Sequence, residues 1–253
     1  MNQQKQVMKL DYRGGKYMIK VTVWNEFFHE RVSDLPKSIY PDGMHNVIAN
    51  FLKDDDVFVR TATLLDENCG ITKEVLDDTD VLIWWGHAKH NDVPDEVATL
   101  VRNAVLEGMG IIFLHSAHHS KPFKLLMGTS CNLSWRLDGD SEYIWVCNPS
   151  HPIVQGIDRY IKLEHEEIYA EPFDIPEPNE LIMIGSYDGG EVFRSACCYR
   201  RGNGKIFYFQ PGHETYPTFY DPNVQQIIKN AVQWAKPMYR SAFECPKIMR
   251  IKE

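Results

Sequence analysis

The chain contains no C-x-x-C pair, no run of lysine and arginine, no His-Glu-x-x-His, and no apolar run near the roughly 18 residues that a membrane-spanning helix requires. The missing C-x-x-C excludes zinc-ribbon and thioredoxin-type motifs. The six cysteines, Cys69, Cys131, Cys147, Cys197, Cys198 and Cys245, are scattered. They read as reduced, mostly buried thiols of a cytosolic, cytoplasmic protein. Cys197 and Cys198 are neighbours in a predicted strand, so they point to opposite faces and do not serve one site together. With no basic run and a formal net charge of −8, a nucleic-acid partner is not expected. The amino terminus is polar and lacks the apolar core of a secretion signal, and no membrane association is expected.

What is present is a core-forming α/β pattern. Hydrophobic residues are 43% of the 253 positions, enough for one large α/β domain. Residues 1–17 are polar, carry Gly14-Gly15 and precede a second methionine, Met18. They read as an N-terminal extension, residues 18–236 as the domain, and 237–253 as a C-terminal tail. Strands are predicted over 19–24 and 57–61, with a helix between them capped by Asp42 and carrying Met44, Val47, Ile48 and Phe51 at helical spacing. Residues 72–76 suggest a short helix. Residues 81–85 and 111–114 are continuous apolar runs, as expected of parallel strands buried on both faces. Between them, Pro94 sits in the first turn of a helix running to Glu107, which Gly108 and Gly110 end. The second half is richer in strands, over 143–147, 163–170, 181–187, 192–200 and 205–210. A last helix starts at Asp221-Pro222 and stops at Pro237. Alternating strands and helices imply a doubly wound, mostly parallel sheet.

Such sheets bind ligands beyond the carboxyl ends of their strands. Four predicted strands end there in polar residues: Asn25, Glu26, His29 and Glu30; His87 and His90; His115, Ser116, His118 and His119; His213 and Glu214. Seven of the ten histidines thus share one rim. Three chemistries compete. Neutral imidazoles with a carboxylate suit a divalent metal, zinc or a related transition ion, with an open position for catalysis. Alternatively, residues 111–114 run into His115-Ser116-Ala117 as a strand runs into a nucleophile elbow. Ser116 would then be activated by His213 and oriented by Glu214, or His115 would itself stand at the elbow. Finally, single histidines at strand ends also serve structure, capping helices or backbone groups; that reading is favoured for His151 and His165. Among the aromatics, Trp24 and Trp84 read as core, while Trp85, Tyr216 and Tyr220 are candidate substrate-binding walls. Glu166, Glu167 and Tyr169 are within reach of the same rim, and Glu167 is a candidate substrate contact.

Trp24-Asn25-Glu26, Gly86-His87, Leu114-His115-Ser116-Ala117, His151-Pro152-Ile153, Glu166-Glu167-Ile168-Tyr169 and Gly212-His213 occur in an order that resembles ThuA-like proteins, named for trehalose utilisation. The resemblance spans residues 18–236. It implies a flavodoxin-like fold of the class I glutamine amidotransferase type. It also implies a role in the use of trehalose or a related disaccharide, including oxidised (keto) sugars, with a small-molecule carbohydrate as partner. Amidotransferases of that fold carry a cysteine at the elbow; His115-Ser116 occupies the position here, so glutamine hydrolysis is not expected.

The leading expectation is therefore a metal held by His29, His87, one of His118 and His119, and His213, with Glu26, Glu30 or Glu214 moving the proton. The alternatives are a metal-free hydrolase using Ser116, His213 and Glu214, and a sugar-binding module without turnover. An acidic domain with a long tail also suggests a homo-oligomer.

Overall fold

A computed structural model describes residues 12–13, 16–242 and 247–249. Most of the expected N-terminal extension, and Cys245 in the tail, lie outside the described residues. In chain order the elements begin with β1 (Tyr12–Arg13), β2 (Lys16–Tyr17), β3 (Ile19–Asn25), α1 (His29–Val32), α2 (Asp34–Ile39), α3 (Met44–Leu52) and β4 (Val57–Thr63). Next come α4 (Lys73–Asp77), β5 (Val81–Trp85), α5 (Asp95–Glu107), β6 (Gly110–Leu114) and α6 (Lys121–Met127). The second half holds β7 (Ser134–Arg136), β8 (Glu142–Val146), β9 (Tyr160–Leu163), β10 (Ile168–Ala170), β11 (Glu180–Tyr187), β12 (Val192–Arg201), β13 (Gly204–Phe209) and α7 (Pro222–Ala235).

Nine strands form one sheet in the order β4-β3-β5-β6-β13-β12-β11-β8-β9. The strands from β4 to β13 run parallel, and each pair from β13 to β9 is antiparallel. The sheet is thus mixed, with a parallel centre that extends as an antiparallel wing. Every residue of β5 and β6 is buried, because helices cover both faces. One face packs Ile48, Ile83, Phe207 and Ile227 with α3 and α7; the other packs Leu82, Phe113, Val101 and Phe123 with α5 and α6. Cys198 belongs to the first core and Cys197 to the second, as strand alternation requires. Among the described residues, no helix is long and apolar enough to cross a membrane.

Three local expectations are corrected. Asp42 does not cap α3: the capping position is Gly43 at φ 86, a conformation that costs glycine little, and Asp42 offers its carbonyl to Asn46. Pro94 stands at the capping position before α5 rather than inside its first turn. The strand expected over 163–170 is two strands, β9 and β10. Between them the chain turns the Glu166 and Glu167 side chains into the interior, where both are buried. The described start of the tail packs on its own domain, with the Arg240 guanidinium donating to the Leu76, Asp77 and Thr79 carbonyls.

Glu142 is a fully buried carboxyl in the wing. Its Oε1 accepts from Tyr187 Oη and Ser195 Oγ, while Oε2 has no partner. Burial, aided by nearby Glu166, pushes it well above the usual carboxylate range, so the fold holds it protonated. The unfolded chain loses that proton near pH 4–5, about its unperturbed range. Glu142 therefore contributes stability that is present in acid and lost as pH rises above that point. The expected result is that Glu142→Gln, which needs no proton, gains stability relative to the parent between pH 5 and pH 8 in urea melts. A pH-independent difference would show Glu142 to be ionised in the fold.

Candidate functional site

The parallel strands β3, β5, β6 and β13 end side by side, and their carboxyl ends carry the site. At the end of β6 the backbone of His115 takes φ 53, a left-handed conformation that costs a non-glycine residue about 1–2 kcal/mol. It is held there from three sides. The Nδ1–H donates to the Gln210 carbonyl at 3.0 Å, the ring stacks on Tyr169 with centroids 5.3 Å apart, and Nε2 lies 3.0 Å from Glu167 Oε2. The turn continues as a 3-10 segment over His115–His119. His115, not Ser116, is thus the residue at the apex of the elbow.

Two buried carboxylates shape the neighbouring loops. Glu26, at the end of β3, accepts the backbone N–H groups of His87, Ala88 and Lys89 at 2.8, 2.8 and 2.9 Å. This closes the loop after β5 and sets where His87 begins. Glu166 accepts from the N–H groups of Gly212 and His213 and from Thr218 Oγ1, which does the same for the loop after β13. Trp85 ties the two loops together by donating Nε1–H to the Gly212 carbonyl at 3.0 Å.

Within this frame His87, His115, His213 and Glu214 each present a ligand atom, and all four atoms lie within 4.8 Å of one another. The ring centroids of the three histidines are 5.2 to 5.6 Å apart. Glu214 Oε2 accepts from His87 Nδ1 at 2.8 Å, and Oε1 lies 3.2 Å from His29 Nδ1. Burial works against the charge on Glu214, but the His87 bond and the nearby His213 and His29 bring it down to about 2. For Glu167, burial is likewise outweighed by the bond to His115, which lowers it. His115 is the mirror case: burial opposes its proton, yet Glu167, Glu166 and Glu214 hold the ring above its ordinary value. His213 is drawn down to about 4 by burial and by repulsion from His115. Its Nδ1 lies 2.8 Å from Thr215 Oγ1, and an Nδ1–H donated there leaves the Nε2 lone pair for the cluster.

This charge arrangement is unusual. Glu167 and Glu214 are ionised and buried, and among the described residues only histidines pair with them. Buried anions without a lysine or arginine call for another cation. Either protons on the imidazoles or a metal ion supplies it. Three imidazoles and one carboxylate form a donor set that fits zinc or a related divalent ion.

A family model described as ThuA, trehalose utilisation, matches residues 20–235. The chain belongs to the ThuA family. No curated protein matches it in sequence. Among solved structures it is similar to ThuA-like proteins from Bacteroides uniformis (15% identity over 88% of this chain and 93% of that one, TM-score 0.64) and Parabacteroides merdae (15%, 91% and 94%, 0.64). It also resembles a glutamine amidotransferase from Thermotoga maritima at 7% identity over 86% of this chain and 98% of that one, with a TM-score of 0.50. At such identities the likeness concerns the fold, which is the expected flavodoxin-like, amidotransferase-type one.

The ThuA-family chain brings together four of the expected site residues, His87, His115, His213 and Glu214, with His115, expected at the elbow rather than as a metal ligand, among the donors. His29 stands beside the cluster through Glu214 but is not one of the four. His118 and His119 are elsewhere. His118 Nδ1–H donates to the Cys131 carbonyl, and its ring packs among Phe173, Tyr169 and Tyr208. Burial, then repulsion from His119, keeps it neutral. His119 faces His90, at 6.2 Å between centroids. The turn after His115 winds as a 3-10 helix, which points these two rings away from the apex.

Four further roles are corrected. Glu26 is saturated by backbone donors, so it positions a loop and is not free to move a proton. Glu214 bonds His87, lies beside His29 and stays 3.8 Å from His213, and Ser116 Oγ pairs with Tyr169 Oη at 2.5 Å; the Ser116–His213–Glu214 relay is not assembled. Trp85 is fully buried and offers no face to a ligand. Tyr220 stacks on Tyr40 and donates to the Ile39 carbonyl, away from the cluster. Tyr216 does stand next to His213, at 5.7 Å between ring centroids, and Glu167 contacts His115. Ser116→Ala is expected to cost about 1 kcal/mol of stability, the worth of one buried hydrogen bond, and to leave bound metal and any turnover unchanged. Loss of turnover with metal retained would restore Ser116 as a reacting group.

Two partners were not legible in the sequence: Glu166 as the anchor of the His213 loop and Gln210 as the partner of His115. Glu166-Glu167 interrupting an otherwise strand-like stretch was the available signal for the first. The second had none, since the contact joins residues 95 positions apart.

Proposed function

We propose that this ThuA-family chain is a metal-dependent enzyme of carbohydrate utilisation. His87, His115, His213 and Glu214 would hold zinc or a related divalent ion. The observation that carries the reading is the cluster itself: four convergent donor atoms beside ionised Glu167, with no lysine or arginine among the described residues to balance it. The bound ion would polarise a sugar hydroxyl or carbonyl and acidify a bound water.

The chain's own residues divide the remaining work. His115, locked by Gln210 and Tyr169, presents a fixed Nε2 to the centre. Glu167, adjoining that atom, is the group placed to take a proton from a bound hydroxyl. Glu214, whose Oε2 lies 2.8 Å from His87 Nδ1, fixes that ring at the edge of the cluster. His29 and His87 are the more exposed members of the group and mark the side from which a ligand enters. The carbohydrate assignment rests on the family's description, trehalose utilisation, and the reading places the protein in the cytoplasm.

The test is turnover. Trehalose and its keto derivatives, incubated with metal-loaded protein and followed by NMR, should be converted, and chelator should abolish conversion. Saturable sugar binding without conversion would instead make the chain a binding module. Conversion that chelator leaves intact would point to His115 and Glu167 acting without metal.

A further inference from the structure

At the opposite edge of the sheet from the histidines, where β6 and β13 begin and α7 ends, lies a second cleft of about 150 Å³. Arg200, Lys205 and Lys236 line it, with Asn203, Gly202 and Tyr239. Among the described residues no carboxylate lines it, although the whole chain has a formal net charge of −8. Among the described residues none of the three cations forms an ion pair. Burial, then the nearness of Arg200 and Lys236, lowers the Lys205 ammonium, so the three charges oppose one another across the cleft.

One of the three has a structural task. Lys205 Nζ donates to the Trp234 carbonyl at 2.6 Å and lies over the Trp234 ring, capping the carbonyl end of α7. Lys236 Nζ donates only to Gln233 Oε1, at 3.2 Å. The Arg200 guanidinium has no partner among the described residues, while its backbone N–H is held by Asn179 Oδ1. Asn203 Nδ2 makes only long contacts, at 3.4 Å, to Ser241. Two cations and an amide donor are therefore left facing a cavity that suits a small tetrahedral anion. Like charges held together cost free energy that a bound dianion recovers.

We propose that this cleft is an anion site for a phosphate-type dianion, either free phosphate or the phosphoryl group of a small sugar phosphate. Arg200 grips it through its planar fork, Lys236 and Lys205 supply charge, and Asn203 supplies a further donor. The site is separate from the metal cluster, because it lies at the amino rather than the carboxyl ends of the parallel strands.

The test uses the full chain treated with chelator, so that phosphate cannot bind at a metal, with ionic strength held constant by chloride. Isothermal titration with inorganic phosphate should show one saturable site, and the melting temperature should rise with it. Arg200→Gln combined with Lys236→Gln should weaken phosphate by at least about tenfold, the worth of a lost charge-assisted contact, with circular dichroism unchanged. A hexose phosphate binding tenfold or more tighter than phosphate identifies the phosphoryl group of a metabolite as the ligand; equal affinities identify free phosphate. The proposal is overturned if phosphate does no more than matched chloride, or if the double variant binds as the parent does.

Discussion

Protein prepared without a metal-affinity tag is expected to carry about one equivalent of zinc or a similar divalent ion per chain, as a four-ligand site requires. Stripping that ion should lower the melting temperature. A ligand that binds only the folded chain adds about 4 kcal/mol at a thousandfold excess over Kd, so the shift should be large. His115→Ala and His87→Ala should each abolish the metal, because each removes a donor from the group that lies within 4.8 Å. His118→Ala and His119→Ala should retain it, since His118 is committed to the Cys131 carbonyl and His119 lies against His90. This contrast separates a real centre from metal loosely bound to a histidine-rich chain. Elemental analysis and differential scanning calorimetry read it directly. A metal-free preparation whose melting temperature ignores both chelator and added zinc would sink the metal reading. The cation beside Glu167 would then be the proton on His115.

The largest stability loss from a single substitution near the site should come at Glu166. Glu166→Ala leaves the N–H groups of Glu167, Gly212 and His213 and the Thr218 hydroxyl without an acceptor, and all four residues are buried. Each unsatisfied buried donor costs about 1–3 kcal/mol, so a total near 3–5 kcal/mol is expected. Glu26→Ala frees three donors, those of His87, Ala88 and Lys89. Its cost should be smaller, because Ala88 is exposed and His87 and Lys89 are half-buried, and water can replace the lost acceptor. Glu166→Gln should fall between the parent and Glu166→Ala, since an amide keeps one acceptor oxygen but turns an NH₂ toward a donor. Urea melts of the three variants provide the comparison. If Glu166→Ala costs no more than about 0.5 kcal/mol, the level of an ordinary surface change, the loop after β13 is held by something other than this carboxylate.

The metal and loop predictions meet at His213. Its backbone is placed by Glu166, and its side chain is tied to Thr215. A Glu166 variant that still folds should therefore lose metal affinity without losing any ligand residue, a dependence that simple inspection of the four donors would not anticipate.

The parts of the molecule legible in the chain are those governed by short-range periodicity. Residues 81–85 and 111–114 had to be buried strands, because continuous apolar runs of that length find no other home. Their carboxyl ends then had to carry His87 and His115, because chain direction is set by the sequence. The Asp221 cap of α7, which accepts from Asn223 and Val224, is equally local. What only tertiary structure decided was which rim side chains meet. His118 and His119 are adjacent to the elbow in sequence, yet a 3-10 turn sends them into or behind the second core. Glu26 and Glu214 are both buried carboxylates, but one is spent on backbone N–H groups and the other bonds His87 within the cluster. His115 joins the cluster only because Gln210, Tyr169 and Glu167, all far along the chain, close around its strained backbone. Such contacts depend on how distant loops pack, and no spacing within the chain encodes them.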